Sequence, residues 1–322
     1  MFNSARETYN FFGNENIEKF MLKSINSRKL HHAYLFTGAK GLGKATFAYR
    51  VSKYILSNSL QDNMNVDRSE KVDKLIRKNS HPDFMVLSKD IDNEKSVIEI
   101  NQVRECISFF NHTPILGRYK ICIIDSLDDM NTNGANALLK ILEEPQENSI
   151  FFIISHCKET VLPTIKSRCL NLRFNKFSNT EIKGFLENNA IDGIYDLNEI
   201  IELSNGSIGR AIDLINEDAQ EIILNVKNLF AQSYDEDIYK LENFLRKSSN
   251  IDLFFELSIS MIDKLIKEFV LNKGNQENEK IHELFSMRAD IQKIYHEGKK
   301  YKNLKTHMIL DLILLIKKSY YH

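Results

Sequence analysis

Gly38-Ala-Lys-Gly-Leu-Gly-Lys44 follows the apolar run Ala33–Thr37 and precedes Phe47, Val51 and Ile55 at helical spacing. A glycine-rich loop between a strand and a helix turns backbone N–H groups toward one point. There the partial positive charge of the helix N-terminus holds an anion. The spacing predicts a phosphate loop shaped by Gly38, Gly41 and Gly43, with Lys44 as a point charge against the outer phosphates. In a complete loop the next side chain is a Ser or Thr that ligates Mg²⁺, and here it is Ala45. The hydroxyl of Thr46 lies about 100° further around the helix and does not simply replace it.

Working outward, Ile121-Cys-Ile-Ile-Asp125 reads as a buried strand ending in an acid that can hold a water of the metal ion. A nucleotide hydrolase then needs a Glu to orient the attacking water, and Ser126 stands in its place. Asp128, two residues on, reads as a helix N-terminal residue favoured by the dipole. Two independent losses therefore predict an ATPase fold without hydrolysis.

The predicted strands are Ala33–Thr37, Phe84–Leu87, Lys120–Asp125 and Ile150–Ser155, with a helix over Asn136–Glu144 closed by Pro145. Alternation of short apolar runs with helical patterns predicts an α/β domain with a parallel sheet over residues 1–174. After Phe174 the strand signal stops. Ser178 and Glu181 form a capping-box pattern, and helical segments follow at Asn198–Leu203 and Arg210–Ile215. These give a small helical domain over 175–218. Leu253, Phe254, Leu257, Met261, Leu265 and Phe269 continue at helical intervals, so residues 219–322 form an all-α domain interrupted by a polar, loop-like stretch at Asn272–Lys280.

The bulk numbers fit this division. A length of 322 residues exceeds one ordinary domain, and a net charge of -1 argues against a protein that coats DNA by itself. The opening MFNSARETYN has no apolar core, and Met308–Ile316 is too short to span a bilayer and contains Asp311. A cytoplasmic protein with no membrane contact is expected. Cys106, Cys122, Cys157 and Cys169 lack the spacing of zinc ligands, so no metal is expected. Cys122 and Cys157 sit in apolar runs that predict buried thiols.

Four segments carry a resemblance. HHAYLFTGAKGLGK, then His81-Pro-Asp-Phe84, then Asn136-Ala-Leu-Leu-Lys-Ile-Leu-Glu-Glu-Pro145, then Leu162-Pro-Thr-Ile-Lys-Ser-Arg-Cys169 stand in the order and spacing of bacterial clamp-loader subunits. The chain resembles this AAA+ family over most of its length. The resemblance implies a P-loop domain, a helical lid and a C-terminal helical collar through which subunits assemble. It also implies partners: motor (gamma or tau) subunits, a delta subunit, the sliding clamp, and primed DNA through the complex. Many family members carry a four-cysteine zinc module before the HPD segment, and Ser57–Asn79 contains no Cys.

Ala45 and Ser126 make the chain similar to the delta-prime class, which commonly has a degenerate ATP site and donates an arginine to a neighbour. The alternative is an active motor subunit. The resemblance assigns that arginine to Arg168, placed by the short helical stretch Thr160–Lys166 at the domain rim, with no partner in its own site. It further implies a degenerate nucleotide site at Gly38, Gly41, Gly43, Lys44, Thr46, Asp125 and Ser155, able to hold ATP or ADP without turnover. Lys140 matches a DNA-facing lysine, and Gly209, rather than Arg210, falls at the lid arginine of motor subunits.

Overall fold

The computed structural model describes residues 4–8, 11–57, 64, 70–89, 97–157, 161–189, 196–231, 241, 245, 251–272, 278–301 and 305–320. Its first part runs α1 (Glu15–Asn26), β1 (Ala33–Thr37), α2 (Lys44–Ser57), α3 (Lys71–Arg77), β2 (Phe84–Ser88), α4 (Ile100–Phe110) and β3 (Lys120–Asp125). It continues with α5 (Thr132–Glu143), β4 (Ser149–Ser155), α6 (Pro163–Lys166) and β5 (Leu170–Arg173). Helices follow at α7 (Asn179–Asn188), α8 (Leu197–Ser204), α9 (Ile208–Asp213), α10 (Glu217–Phe230), Ile251–Asn272, Asn278–Tyr301 and Lys305–Tyr320.

All five strands are parallel, in the order β2-β3-β4-β1-β5. β3 and β4 are buried almost throughout because helices cover both faces, which is why their sequences are nearly all apolar. The period of two divides the core. Leu35, Cys122, Ile124, Phe151 and Ile153 pack with Val103, Cys106 and Phe110 of α4 and Leu138 and Leu142 of α5. Neighbouring positions on the other face stack aromatic rings: Phe36 lies 5.5 Å from Phe152, 5.5 Å from Phe174 and 5.7 Å from Phe47 of α2.

Two ion networks brace this domain. In the Ser57–Asn79 region, the buried Asp73 of α3 pairs with Lys53 Nζ and Arg77 Nε, each at 2.8 Å. Within His81–Phe84, the buried Asp83 carboxylate accepts N–H bonds from Ile115 (2.7 Å), Leu116 (2.6 Å) and Gly117 (3.2 Å). It thereby fixes the loop that leads into β3, and Lys120 Nζ caps the end of α4 by donating to Phe109 O at 2.7 Å.

The chain packs as two units: Met1–Ile191 with Asn205–Arg210, and Asp192–Ser204 with Ala211–His322. In the second, the helix Ile251–Asn272 packs on α10 and on Asn278–Tyr301, which packs on Lys305–Tyr320. Phe254, Ile262, Ile291, Ile309, Leu312 and Ile316 are buried there.

Several expectations are corrected. β5 carries no expected strand; it is a four-residue edge strand whose alternate residues Asn171 and Arg173 are exposed. The α5 helix begins four residues before Asn136 because Asn131 caps it, its side chain accepting from Gly134 N–H. α9 starts at Ile208, not Arg210. Cys122 is buried with its Sγ 3.4 Å from that of Cys106, but Cys157 is exposed because β4 ends two residues earlier. Within Asn272–Lys280, residues 273–277 lie outside the described residues, while Asn272 and Asn278–Lys280 are helical. Thr160 also lies outside them; the helix beyond it is a single turn, Pro163–Lys166.

Candidate nucleotide site and arginine turn

Thr37, Asp125 and Ser155 all end their strands on the C-terminal edge of the sheet, where open α/β sheets bind ligands. The loop from β1 to α2 crosses this edge with φ of 141° at Gly38, 79° at Gly41 and 81° at Gly43, backbone that side chains rarely adopt. At Gly38 a Cβ would also come within 2.7 Å of the Phe174 carbonyl. Lys44, the first residue of α2, is buried, and its Nζ donates to the carbonyls of Gly38 and Ala39 at 2.6 Å each. Burial lowers its pKa to about 8, against the pull of Asp125 and Asp128. Burial raises the Asp125 pKa, with Lys44 opposing.

These residues fit a phosphate: glycine-bent backbone, a helix start and a cation near acids. They fit a metal ion less well, because Ala45 supplies no hydroxyl. Thr46 is half-buried one position along α2. Ser126 is buried, and its hydroxyl donates to Asp129 Oδ2 at 2.9 Å, while Lys89 pairs with Asp129 Oδ1 at 3.3 Å.

Ser155 does not present its hydroxyl freely. It donates to Asp128 Oδ1 at 3.1 Å and to Cys157 O at 3.0 Å, and the other oxygen of Asp128 accepts the His156 N–H. Asp128 is therefore a brace between the end of β4 and the turn after β3, rather than only a helix-start residue. The His156 side chain is pushed down to about 4 by burial, with Lys44 adding to the effect, and is neutral at pH 7. Asp128 and His156 are invisible as site residues in the sequence, because no motif links 125 to 156.

The segment 205–210 lies on the phosphate loop. Ser207 Oγ donates to Lys40 O at 2.9 Å and accepts the Arg210 N–H at 3.2 Å, and Gly209 N–H donates to Gly41 O at 2.9 Å. A Cβ at Gly209 would stand 2.6 Å from the Gly41 Cα. No side chain fits at position 209 unless the phosphate loop shifts.

Arg168 sits in the turn between α6 and β5. Its Nη1 donates to Thr164 O at 2.8 Å and to Ser167 Oγ at 3.2 Å, and its Nη2 pairs with Glu143 Oε1 at 2.6 Å. Within its own subunit the guanidinium is held by the last residue of α5, away from the residues of the phosphate loop. The Lys140 side chain is exposed in the last turn of the same helix.

A family model described as DNA polymerase III, delta subunit, matches residues 13–178, more than half of the chain. The chain belongs to that family. This clamp-loader subunit is 35% identical over 154 residues to the DNA polymerase III subunit delta' of Pseudomonas aeruginosa, covering 48% of this chain and 46% of that one. It is 27% identical over 287 residues to the subunit tau of Bacillus subtilis, covering 88% of this chain and 47% of that one. The match spans about half the length of most of these curated relatives. A DNA polymerase III gamma subunit-related protein from Thermotoga maritima shares the fold, with a TM-score of 0.50 and 17% identity over 95% of this chain and 98% of that one. The clamp-loader subunit has an α/β part built on a parallel sheet, followed by helices. Among the described residues, no helix is long and apolar enough to cross a membrane.

Proposed function

We propose that this clamp-loader subunit acts as a delta-prime-type stator, hydrolyses no ATP itself, and completes a neighbouring motor subunit's ATP site with Arg168. The observation that carries the reading is Ser126: it takes the place of the water-orienting carboxylate, and its hydroxyl is spent on Asp129. Ala45 lacks the metal-ligating hydroxyl, and Gly209 packs against Gly41 where a motor subunit carries its lid arginine. Each loss removes a different part of the hydrolytic apparatus. Gly38, Gly41, Gly43, Lys44, Thr46, Asp125 and Ser155 retain a degenerate pocket that holds ATP or ADP without turnover.

In this reading residues 1–174 are the nucleotide-binding domain, 175–218 the lid and 219–322 the collar. Exposed apolar side chains on the late helices, Leu224, Leu271, Phe285 and Leu314 among them, support an assembly role for the collar. The partners are motor and delta subunits, the sliding clamp, and primed DNA, toward which Lys140 faces. In the assembled machine the Arg168 guanidinium meets the charge that develops on a transferred phosphate, and such arginines contribute on the order of 10³–10⁵ in rate.

The test is reconstitution with motor subunits, delta subunit and clamp. The isolated chain should show no ATP hydrolysis above background. Arg168→Ala should assemble normally and remove part of the DNA-stimulated ATPase and clamp-loading activity. Steady-state turnover by the isolated chain near about 10 s⁻¹, abolished by Lys44→Ala, would instead identify an active motor subunit.

A further inference from the structure

We propose that Glu143 is a positioning residue for Arg168, holding the guanidinium ready for a neighbour's phosphate; this rests on the in-trans reading above. An arginine side chain has five N–H donors in one plane. Here Thr164 O and Ser167 Oγ take two on Nη1, and Glu143 Oε1 takes one on Nη2. Among the described residues nothing takes the Nε–H or the second Nη2 hydrogen, which remain for an incoming ligand. A guanidinium gripped at both terminal nitrogens has lost its freedom to swing before that ligand arrives, so less ordering is left to the moment of reaction.

The grip comes from two directions. Thr164 and Ser167 belong to the arginine's own turn, so by themselves they fix the side chain only relative to that turn. Glu143 is the last residue of α5, whose Leu138, Ile141 and Leu142 are buried against the sheet. The ion pair therefore references the guanidinium to the core. Both side chains are partly exposed, 32% for Arg168 and 49% for Glu143, so water screens the carboxylate charge and weakens its repulsion of a phosphate. The acceptor oxygen matters here more than the charge.

The test uses the assembled complex on primed DNA. The part of the ATPase rate lost in Arg168→Ala defines the contribution of the abutting site. Glu143→Ala should reduce that part about tenfold, through kcat and with the KM for ATP unchanged. Glu143→Gln keeps an acceptor oxygen and should retain most of it, and Glu143→Ala combined with Arg168→Ala should equal Arg168→Ala alone. Glu143→Lys, which repels the guanidinium, serves if the alanine variant fails to assemble. If Arg168→Ala lowers the rate but Glu143→Ala matches or exceeds wild type, Glu143 does not position the arginine, although the in-trans reading stands. If Arg168→Ala changes nothing, both ideas fall together.

Discussion

Gly209 rests on Gly41, backbone against backbone, with a 2.9 Å N–H···O bond and no room for a Cβ on the Gly209 side. Gly209→Ala should cost roughly 1–3 kcal/mol, because the atoms a Cβ would meet are all main chain of Gly41 and cannot swing aside. Gly184 in α7 has open space around it, so Gly184→Ala should stabilise by about 0.5–1 kcal/mol. Denaturant midpoints of the two variants should move in opposite directions, and faster hydrogen exchange at residue 209 in wild type than in α2 would argue against the contact.

Lys44 should make nucleotide binding depend on pH. Its pKa of about 8 in the free protein means that the ammonium is present at pH 7 and largely lost at pH 9. Phosphate favours the ammonium, so binding above pH 8 takes up a proton. Affinity for ADP should fall by up to about tenfold per pH unit there. Lys44→Ala should weaken binding and abolish the slope. For folding the sign is reversed: the folded pKa lies below the ordinary 10.5, so this group makes stability rise as pH goes from about 8 toward 10.5. Equal ADP affinity at pH 7 and 9 would place the amine away from the phosphates.

Asp83→Ala should be among the most damaging single changes. It removes the acceptor of three backbone N–H groups and leaves them in a partly buried loop. A loss of about 3 kcal/mol is expected by urea titration, with Asp83→Asn milder because one acceptor oxygen remains. A loss no larger than that of an ordinary surface substitution would mean that water replaces the carboxylate at these amides.

At 168, lysine should rescue poorly. Thr164 O, Ser167 Oγ and Glu143 Oε1 are spread around a planar fork, which an ammonium cannot span while also meeting a phosphate. Arg168→Lys complexes should hydrolyse ATP closer to the Arg168→Ala rate than to wild type at matched assembly.

The three central strands, β1, β3 and β4, are legible in the sequence because cover on both faces demands nearly unbroken apolar runs such as Ile121–Ile124, and β2 at one edge still shows as the apolar run Phe84–Leu87. β5 is not legible, because an edge strand with Asn171 and Arg173 exposed reads like a loop. The site divides in the same way. Gly38, Lys44 and Asp125 belong to local patterns that a phosphate imposes on one segment. Asp128 with His156, Ser207 with Lys40, and Glu143 with Arg168 join residues more than twenty positions apart, and only the folded chain brings them together.

The sheet keeps its C-terminal rim and its interior on separate residues. Thr37, Asp125 and Ser155 end their strands at one edge, while Phe36, Phe152, Cys122 and Ile153 are fully buried within the sheet's packing. Substitutions at 45 or 126 can therefore change the chemistry of that rim without touching the residues that fill the sheet's interior. A carboxylate at 126 or a hydroxyl at 45 would alter only that rim, whereas any side chain at 209 would meet the main chain of Gly41. Position 209 is thus closed to new chemistry by the backbone that carries the phosphate loop rather than by anything in the sheet.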